Sequence, residues 1–201
     1  MAETRLLDTP HGPARVHLHQ GLGDRRGTLV LGHGAGGSVE APDLQAVTAG
    51  VVALGVDVVL VEQPYRVAGR RSAAPAKQLD VAWVAVLEQL DLVPGPLLVG
   101  GRSSGARVAC RTAAATGAHG VLCLAFPLVT PKGASRQDEL DGAGVPVLVI
   151  QGRSDRFGMP EPGLSREVVQ VDGDHALRRD HDAVVAAVTA WIAQRLTPAT
   201  A

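Results

Sequence analysis

The sequence predicts an α/β fold: a mainly parallel sheet of about eight strands, helices on both faces, and no large cap domain. Three observations carry this. From Gly27 onward, short apolar runs alternate with helix-favouring segments, the pattern of strand–crossover–strand units. The run Val56–Val61 is continuously apolar and rich in β-branched residues, as suits a parallel strand covered on both faces. At Pro96–Ala115, PLLVGGRSSGARVACRTAAA, an apolar run meets a glycine-rich turn that opens directly into an Ala-rich helix, with a serine at its apex.

Taken in order, Thr4–Leu7 and Ala14–His19 are extended segments split by Thr9-Pro10-His11-Gly12, a hairpin at one edge of the sheet. Gly27–Leu31 is a buried strand ending in Gly32-His33-Gly34-Ala35-Gly36-Gly37-Ser38, after which Pro42 suits the first turn of a helix running to about Leu54. Val56–Val61 is the next strand, and Glu62–Pro75 is read as a loop. A helix from about Ala76 to Leu90 puts Leu79, Trp83, Val86, Leu87 and Leu90 on one stripe. The Leu97–Val99 strand and its helix follow, then a strand at Gly120–Phe126. Pro127–Gly144 has room for one short helix, too little for a cap. Val145–Gln151 and Glu167–Val171 are the last strands. A closing helix begins near Asp180 and Asp182, whose charge is favourable at that end, and buries Val185, Val188, Trp191 and Ile192.

A chain of 201 residues with 46% hydrophobic and 19% charged residues is an ordinary globular one, and a single domain spanning 1–201 is expected. Aromatics make up only 2%, so Val, Leu and Ala must fill the core. A formal net charge of −1 offers no electrostatic case for nucleic acid or an anionic membrane surface. Cys110 and Cys123 read as small buried apolar residues, with neither metal-ligand spacing nor a disulfide framework. The first residues lack an apolar signal core, and no apolar run approaches membrane-spanning length, so a cytoplasmic protein without cofactor or metal is expected.

Gly101-Arg102-Ser103-Ser104-Gly105 fits Gly-x-Ser-x-Gly, the turn that exposes a nucleophilic serine between strand and helix. With 24 glycines in the chain, chance alone would supply this pattern about one time in ten. Its weight depends on partners. A neutral hydroxyl needs a base, usually a histidine held in one tautomer by a carboxylate, and in a parallel sheet such groups lie beyond the carboxyl ends of strands. Asp155 comes four residues after Gln151, and His175 four after Val171, each just past a strand. The order Ser103, Asp155, His175 is that of the α/β-hydrolase arrangement. Of the other histidines, His11, His17 and His19 lie in the edge region, His119 precedes its strand, and His181 falls in the last helix. His33 follows a strand without a suitable acid and reads as an orienter of the glycine loop. Asp172 and Asp174 read as turn residues. Oxyanion donors are expected from the N–H of Ser104 and from the glycine loop, at Ala35.

On these motifs the chain resembles a compact, cap-less α/β-hydrolase of the dienelactone-hydrolase-like kind. It is similar in particular to a small group that includes a testis-expressed protein and a chromatin-acetyltransferase subunit. The resemblance runs from about Gly27 to Leu196 through HGAGG, the AGRR loop, GGRSSG, GRSD and GDH. It implies Ser103 as nucleophile, Asp155 and His175 as its partners, and hydrolysis of a small ester, thioester or lactone through an acyl-enzyme. Arg102 departs from any assignable role, and the group includes proteins for which a scaffold role is implied.

Two rival readings follow. A non-catalytic binding or scaffold protein could keep the same fold. Gly32-x-Gly34-x-x-Gly37 also fits a dinucleotide fingerprint with Glu62 as its acid, but Ser38–Ala41 intervene before Pro42, where that motif needs its third glycine inside the helix. Substrate contacts are expected from the basic loop, at Tyr65 and Arg70, which would favour an anionic group on the substrate.

Overall fold

In the computed structural model, which describes residues 3–196, the eight strands form one sheet. The ends of the expected 1–201 domain, residues 1–2 and 197–201, lie outside the described residues. The elements run β1 (Glu3–Leu7), β2 (Ala14–His19), β3 (Thr28–Gly32), α1 (Pro42–Val52), β4 (Asp57–Glu62), α2 (Pro64–Val67), α3 (Ala76–Leu87), β5 (Leu97–Arg102), α4 (Ser104–Thr116), β6 (Gly120–Leu124), α5 (Gln137–Asp141), β7 (Val147–Gly152), β8 (Arg166–Val171) and α6 (His181–Leu196). Strand order is β1-β2-β4-β3-β5-β6-β7-β8. The pairs from β4 through β8 are parallel, while β1 and β2 form an antiparallel hairpin that joins the edge of β4.

Period-two alternation in the central strands divides the core into two layers. Val30, Val59, Val61, Val99, Val121, Cys123 and Val149 face α3 and α4, where Trp83, Val86, Ala109 and Ala113 meet them. Leu29, Leu31, Val58, Leu60, Leu98, Leu122, Leu124 and Ile150 face α1 and α6, where Leu44, Val47, Val188 and Trp191 close the other side. Trp83 and Trp191, both fully buried, fill one layer each.

This layering positions the site. After β3 the chain moves to one side to form β4, then crosses back to place β5 on the other side of β3. Their following helices pack on opposite faces, α1 on one and α4 on the other. The loops at the carboxyl ends of β3 and β5 therefore diverge, leaving the crevice in which open α/β sheets hold their ligands.

Three details differ from the sequence reading. Glu62–Pro75 is not wholly loop: Pro64, with φ preset for a first helical turn, starts the four-residue α2. β5 continues past Val99 because Gly100 and Gly101 pair with both β3 and β6, and Arg102 with β6, despite the poor strand propensity of the glycines. On α6, Val184 is buried and Val185 is only half-buried, lying against Gly50 of α1.

Candidate active site

The junction of β5 and α4 presents Ser103 with φ 53° and ψ −106°, a conformation that L-residues avoid. Its N–H donates to the Leu124 carbonyl at 2.9 Å, and its carbonyl accepts the Arg107 N–H at 3.2 Å to begin α4. The side chain is thereby turned out of the junction. The flanking glycines make this possible. A Cβ at either Gly101 or Gly105 would stand 2.3 Å from the Gly32 carbonyl oxygen, so only glycine lets the elbow fold down onto the end of β3.

Ser103 Oγ lies 2.8 Å from His175 Nε2, and His175 Nδ1 lies 2.7 Å from Asp155 Oδ2. The Asp155 side chain is fully buried and that of His175 is 21% exposed, so the chain of bonds runs from the interior to the surface. Asp155 Oδ2 also accepts from Gln151 Nε2 at 2.9 Å, and Oδ1 accepts the Phe157 N–H at 2.9 Å. With the carboxylate as acceptor, the imidazole donates from Nδ1, which leaves Nε2 free to take a proton from the serine hydroxyl. The Phe157 ring meets the His175 ring edge-on, centroids 4.6 Å apart, and limits its tilt.

The loop after β3 supplies the facing wall. Gly37 N–H closes a tight turn onto the Gly34 carbonyl at 3.0 Å. Gly34 abuts Ser103, since a Cβ on it would lie 3.6 Å from Ser103 Cβ. His33 is buried; its Nε2 accepts the Gln63 N–H at 3.2 Å, so the proton sits on Nδ1 and is given to the Gly34 carbonyl at 2.8 Å. Burial favours this neutral form and holds the His33 imidazole below its ordinary pKa, against the opposing pull of that carbonyl. Ala35 follows Gly34 directly, and its carbonyl accepts the Tyr65 hydroxyl at 2.8 Å. Ser104 opens α4, so its N–H has no acceptor within the helix. Ala35 and Ser104, the expected oxyanion donors, thus lie in the loop after β3 and at the first residue of α4.

Tyr65 is 6% exposed, its ring edge-on to His33, and burial pushes its hydroxyl up to about 12. Tyr65 and Arg70 line a small cavity of about 70 Å³ with His11, Gln63, Gln78 and Leu79. Arg70 is exposed on its rim. Glu62, the acid of the dinucleotide reading, pairs with Arg15 of β2 at 2.8 Å, and α1 begins only at Pro42. Asp174 caps its own turn through the Ala176 N–H at 2.9 Å. Cys110 and Cys123 are buried with sulfurs 3.5 Å apart, and burial pushes the Cys123 thiol well up. Among the described residues, no group of three or more His, Cys, Asp or Glu side chains is placed to hold a metal, and no helix is long and apolar enough to cross a membrane.

Sequence reasoning missed two supports of the Asp155–His175 pair. Gln151 is fully buried and bonds Asp155, the Phe126 carbonyl at 3.0 Å and the Gly158 carbonyl at 2.8 Å. A polar residue closing the apolar run Val147–Ile150, just before the candidate acid, was the available signal. Phe157, two residues beyond Asp155, carried none.

The sheet order and crossovers are those of the α/β-hydrolase fold. A family model for the alpha/beta hydrolase domain matches residues 25–187, and the chain belongs to that family. No curated protein sequence matches significantly. Among solved structures, a lidless α/β serine hydrolase from Xanthomonas campestris is 21% identical with a TM-score of 0.77, over 100% of this chain and 97% of that one. Est1E from Butyrivibrio proteoclasticus is 14% identical with a TM-score of 0.77, over 96% and 98% of the two chains. A dienelactone hydrolase from Anabaena variabilis is 17% identical with a TM-score of 0.74, over 98% and 99%. At these identities the likeness is one of fold.

Proposed function

We propose that this chain is a serine hydrolase that cleaves a small ester-type substrate through an acyl-enzyme. The observation that carries the reading is the unbroken chain Asp155 Oδ2–His175–Ser103 Oγ, with both bonds under 3 Å. Ser103 Oγ attacks the acyl carbonyl as His175 Nε2 removes its proton, and the oxyanion that forms is held by the N–H groups of Ala35 and Ser104. Collapse expels the alcohol or thiol, which takes the proton back from Nε2. Water then repeats the sequence on the acyl-enzyme, releasing the acid and restoring the hydroxyl. Asp155 holds the ring and offsets the charge of the imidazolium.

The substrate class is a small-molecule acyl compound: carboxylic ester, thioester or lactone. The β6–β7 connection holds only the five-residue α5, which leaves the mouth open to solvent. Arg70, exposed and beside Tyr65, gives a point of attachment for an anionic group on the substrate. Kinship with the testis-expressed and acetyltransferase-subunit group rests on the motifs HGAGG, GGRSSG, GRSD and GDH.

The test is labelling by a small fluorophosphonate followed by an ester and thioester panel. Wild type should label at Ser103 and turn over part of the panel, and Ser103→Ala should do neither. Carboxylate-bearing esters should lose more than neutral ones in Arg70→Ala. A folded wild type that neither labels nor hydrolyses would leave a scaffold role as the reading.

A further inference from the structure

Arg102 sits between the last glycine of β5 and the candidate nucleophile, where nothing in the hydrolytic scheme requires a cation. Its Nε donates to Asp43 Oδ2 at 2.8 Å, and its Nη2 donates to the carbonyl oxygen of His175 at 2.9 Å. The guanidinium also covers Gly34 of the oxyanion loop: a Cβ built there would meet Arg102 Nη1 at 3.2 Å. Asp43 lies in the first turn of α1, the helix that the oxyanion loop leads into, and its side chain is fully buried while that of Arg102 is 17% exposed.

We propose that Arg102 is a positioning residue, whose guanidinium, anchored by buried Asp43, ties the histidine loop and the oxyanion loop to the backbone of Ser103. The inference rests on reading Ser103 as the nucleophile. Residues 172–180 join β8 to α6 without regular structure. The neighbouring β7 loop grips this segment at Gly173, whose carbonyl accepts the Ser154 N–H at 3.0 Å and the Ser154 hydroxyl at 2.8 Å. That grip fixes the segment two residues before His175. The Arg102 bond fixes His175 itself, against the residue next to the serine that its ring must reach.

Stability alone does not account for the pair. An ion pair taken out of water is commonly no better than well-packed apolar residues of the same volume. What it supplies is direction. Burial pushes the Asp43 carboxyl up, and the charge of Arg102 opposes that shift. A fork with donors on two nitrogens can reach a carboxylate and a carbonyl at once, and a single ammonium cannot hold both geometries.

The test uses Arg102→Lys, which leaves Asp43 a cation, and Arg102→Met with Asp43→Asn, which removes both charges together. Each is followed by thermal melting, by fluorophosphonate labelling resolved into binding and inactivation constants, and by the far-downfield NMR resonance of the His175 Nδ1 proton. Arg102→Lys should melt cooperatively and bind the probe as wild type does. Its inactivation constant should fall roughly 10–100-fold, the cost of about an ångström of misplacement, and the resonance should move or broaden. Wild-type labelling rates and an unmoved resonance in either folded variant would overturn the proposal. So would loss of the fold in both, which would make Arg102 a stability residue. If wild type itself does not label, the reading of Ser103 fails separately, and the resonance alone decides Arg102: moved, it supports the tether, and unmoved in both variants, it overturns it.

Discussion

Ser103 holds a backbone conformation that costs an L-residue about 1–3 kcal/mol, and the surrounding bonds impose it: its N–H on Leu124, its carbonyl on Arg107, the Gly32 carbonyl pressed against both flanking glycines. In return the hydroxyl faces a single imidazole nitrogen. Which nitrogen is decided one residue further in, because Asp155 accepts from Nδ1 and leaves Nε2 to the serine. Asp155→Asn would keep the shape and reverse this. An amide NH₂ facing Nδ1 favours the tautomer with its proton on Nε2, which cannot accept from Ser103. The labelling rate of Asp155→Asn should therefore drop on the order of 10³–10⁴-fold in a protein that still melts cooperatively, though lower for the lost Gln151 bond, and a drop of less than tenfold would show that the carboxylate does not set the tautomer. Ser103, Asp155 and His175 were legible because each must follow a strand end directly, and strand ends are readable from apolar runs. Arg102 was visible as a residue and not as a role, since Asp43 and His175 lie 59 and 73 positions away and no local pattern announces either.

At the scale of elements, the site depends on how closely β5 and α4 approach β3. The sequence showed the glycines but not their reason, which is a neighbour in the sheet rather than a turn. Gly105 illustrates the difference. It is already helical, where alanine would normally be favoured by about 1 kcal/mol. A Cβ there would instead stand 2.3 Å from the Gly32 carbonyl oxygen and 2.5 Å from its carbon, both backbone atoms with no side-chain rotation to relieve them. Gly105→Ala should lower the urea midpoint by an amount worth at least about 1–3 kcal/mol, and slow labelling because the helix start carries the Ser104 amide away from the serine. A variant as stable as wild type would mean that α4 can slide without cost. The same long-range logic explains where local reading stopped. β5 extends through Gly100 and Gly101 because two strands pair with them, and to Arg102 through β6, while on the closing helix Val184 enters the core and half-buried Val185 meets Gly50 of α1.

For the molecule as a whole, an antiparallel hairpin must be held against a parallel body, and the segment joining them, residues 20–27, has no regular structure of its own. Asp57, at the start of β4, holds it. Its Oδ1 accepts the Gly21 N–H at 2.9 Å and Arg25 Nε at 2.9 Å, and Arg25 Nη2 bonds Oδ2. Burial pushes the Asp57 carboxyl up, but the Arg25 and Gly21 bonds outweigh it and leave the group below its ordinary pKa. The sign then follows. The folded state favours the ionised form, so the stabilisation is fully present above the unfolded value near 4 and disappears as pH falls through the folded value. Asp57→Asn should melt below wild type at pH 7 by the equivalent of about 1–3 kcal/mol, the worth of bonds to a charged group, and the gap should narrow steadily between pH 5 and the acid limit of the fold. Because Asp57 stands at the amino ends of the strands and Ser103 beyond their carboxyl ends, labelling at pH 7 should be unchanged. A stability gap that stays constant with pH would show that Asp57 holds the joint by shape alone, and a loss of labelling would show that the hairpin and the site are coupled through the sheet.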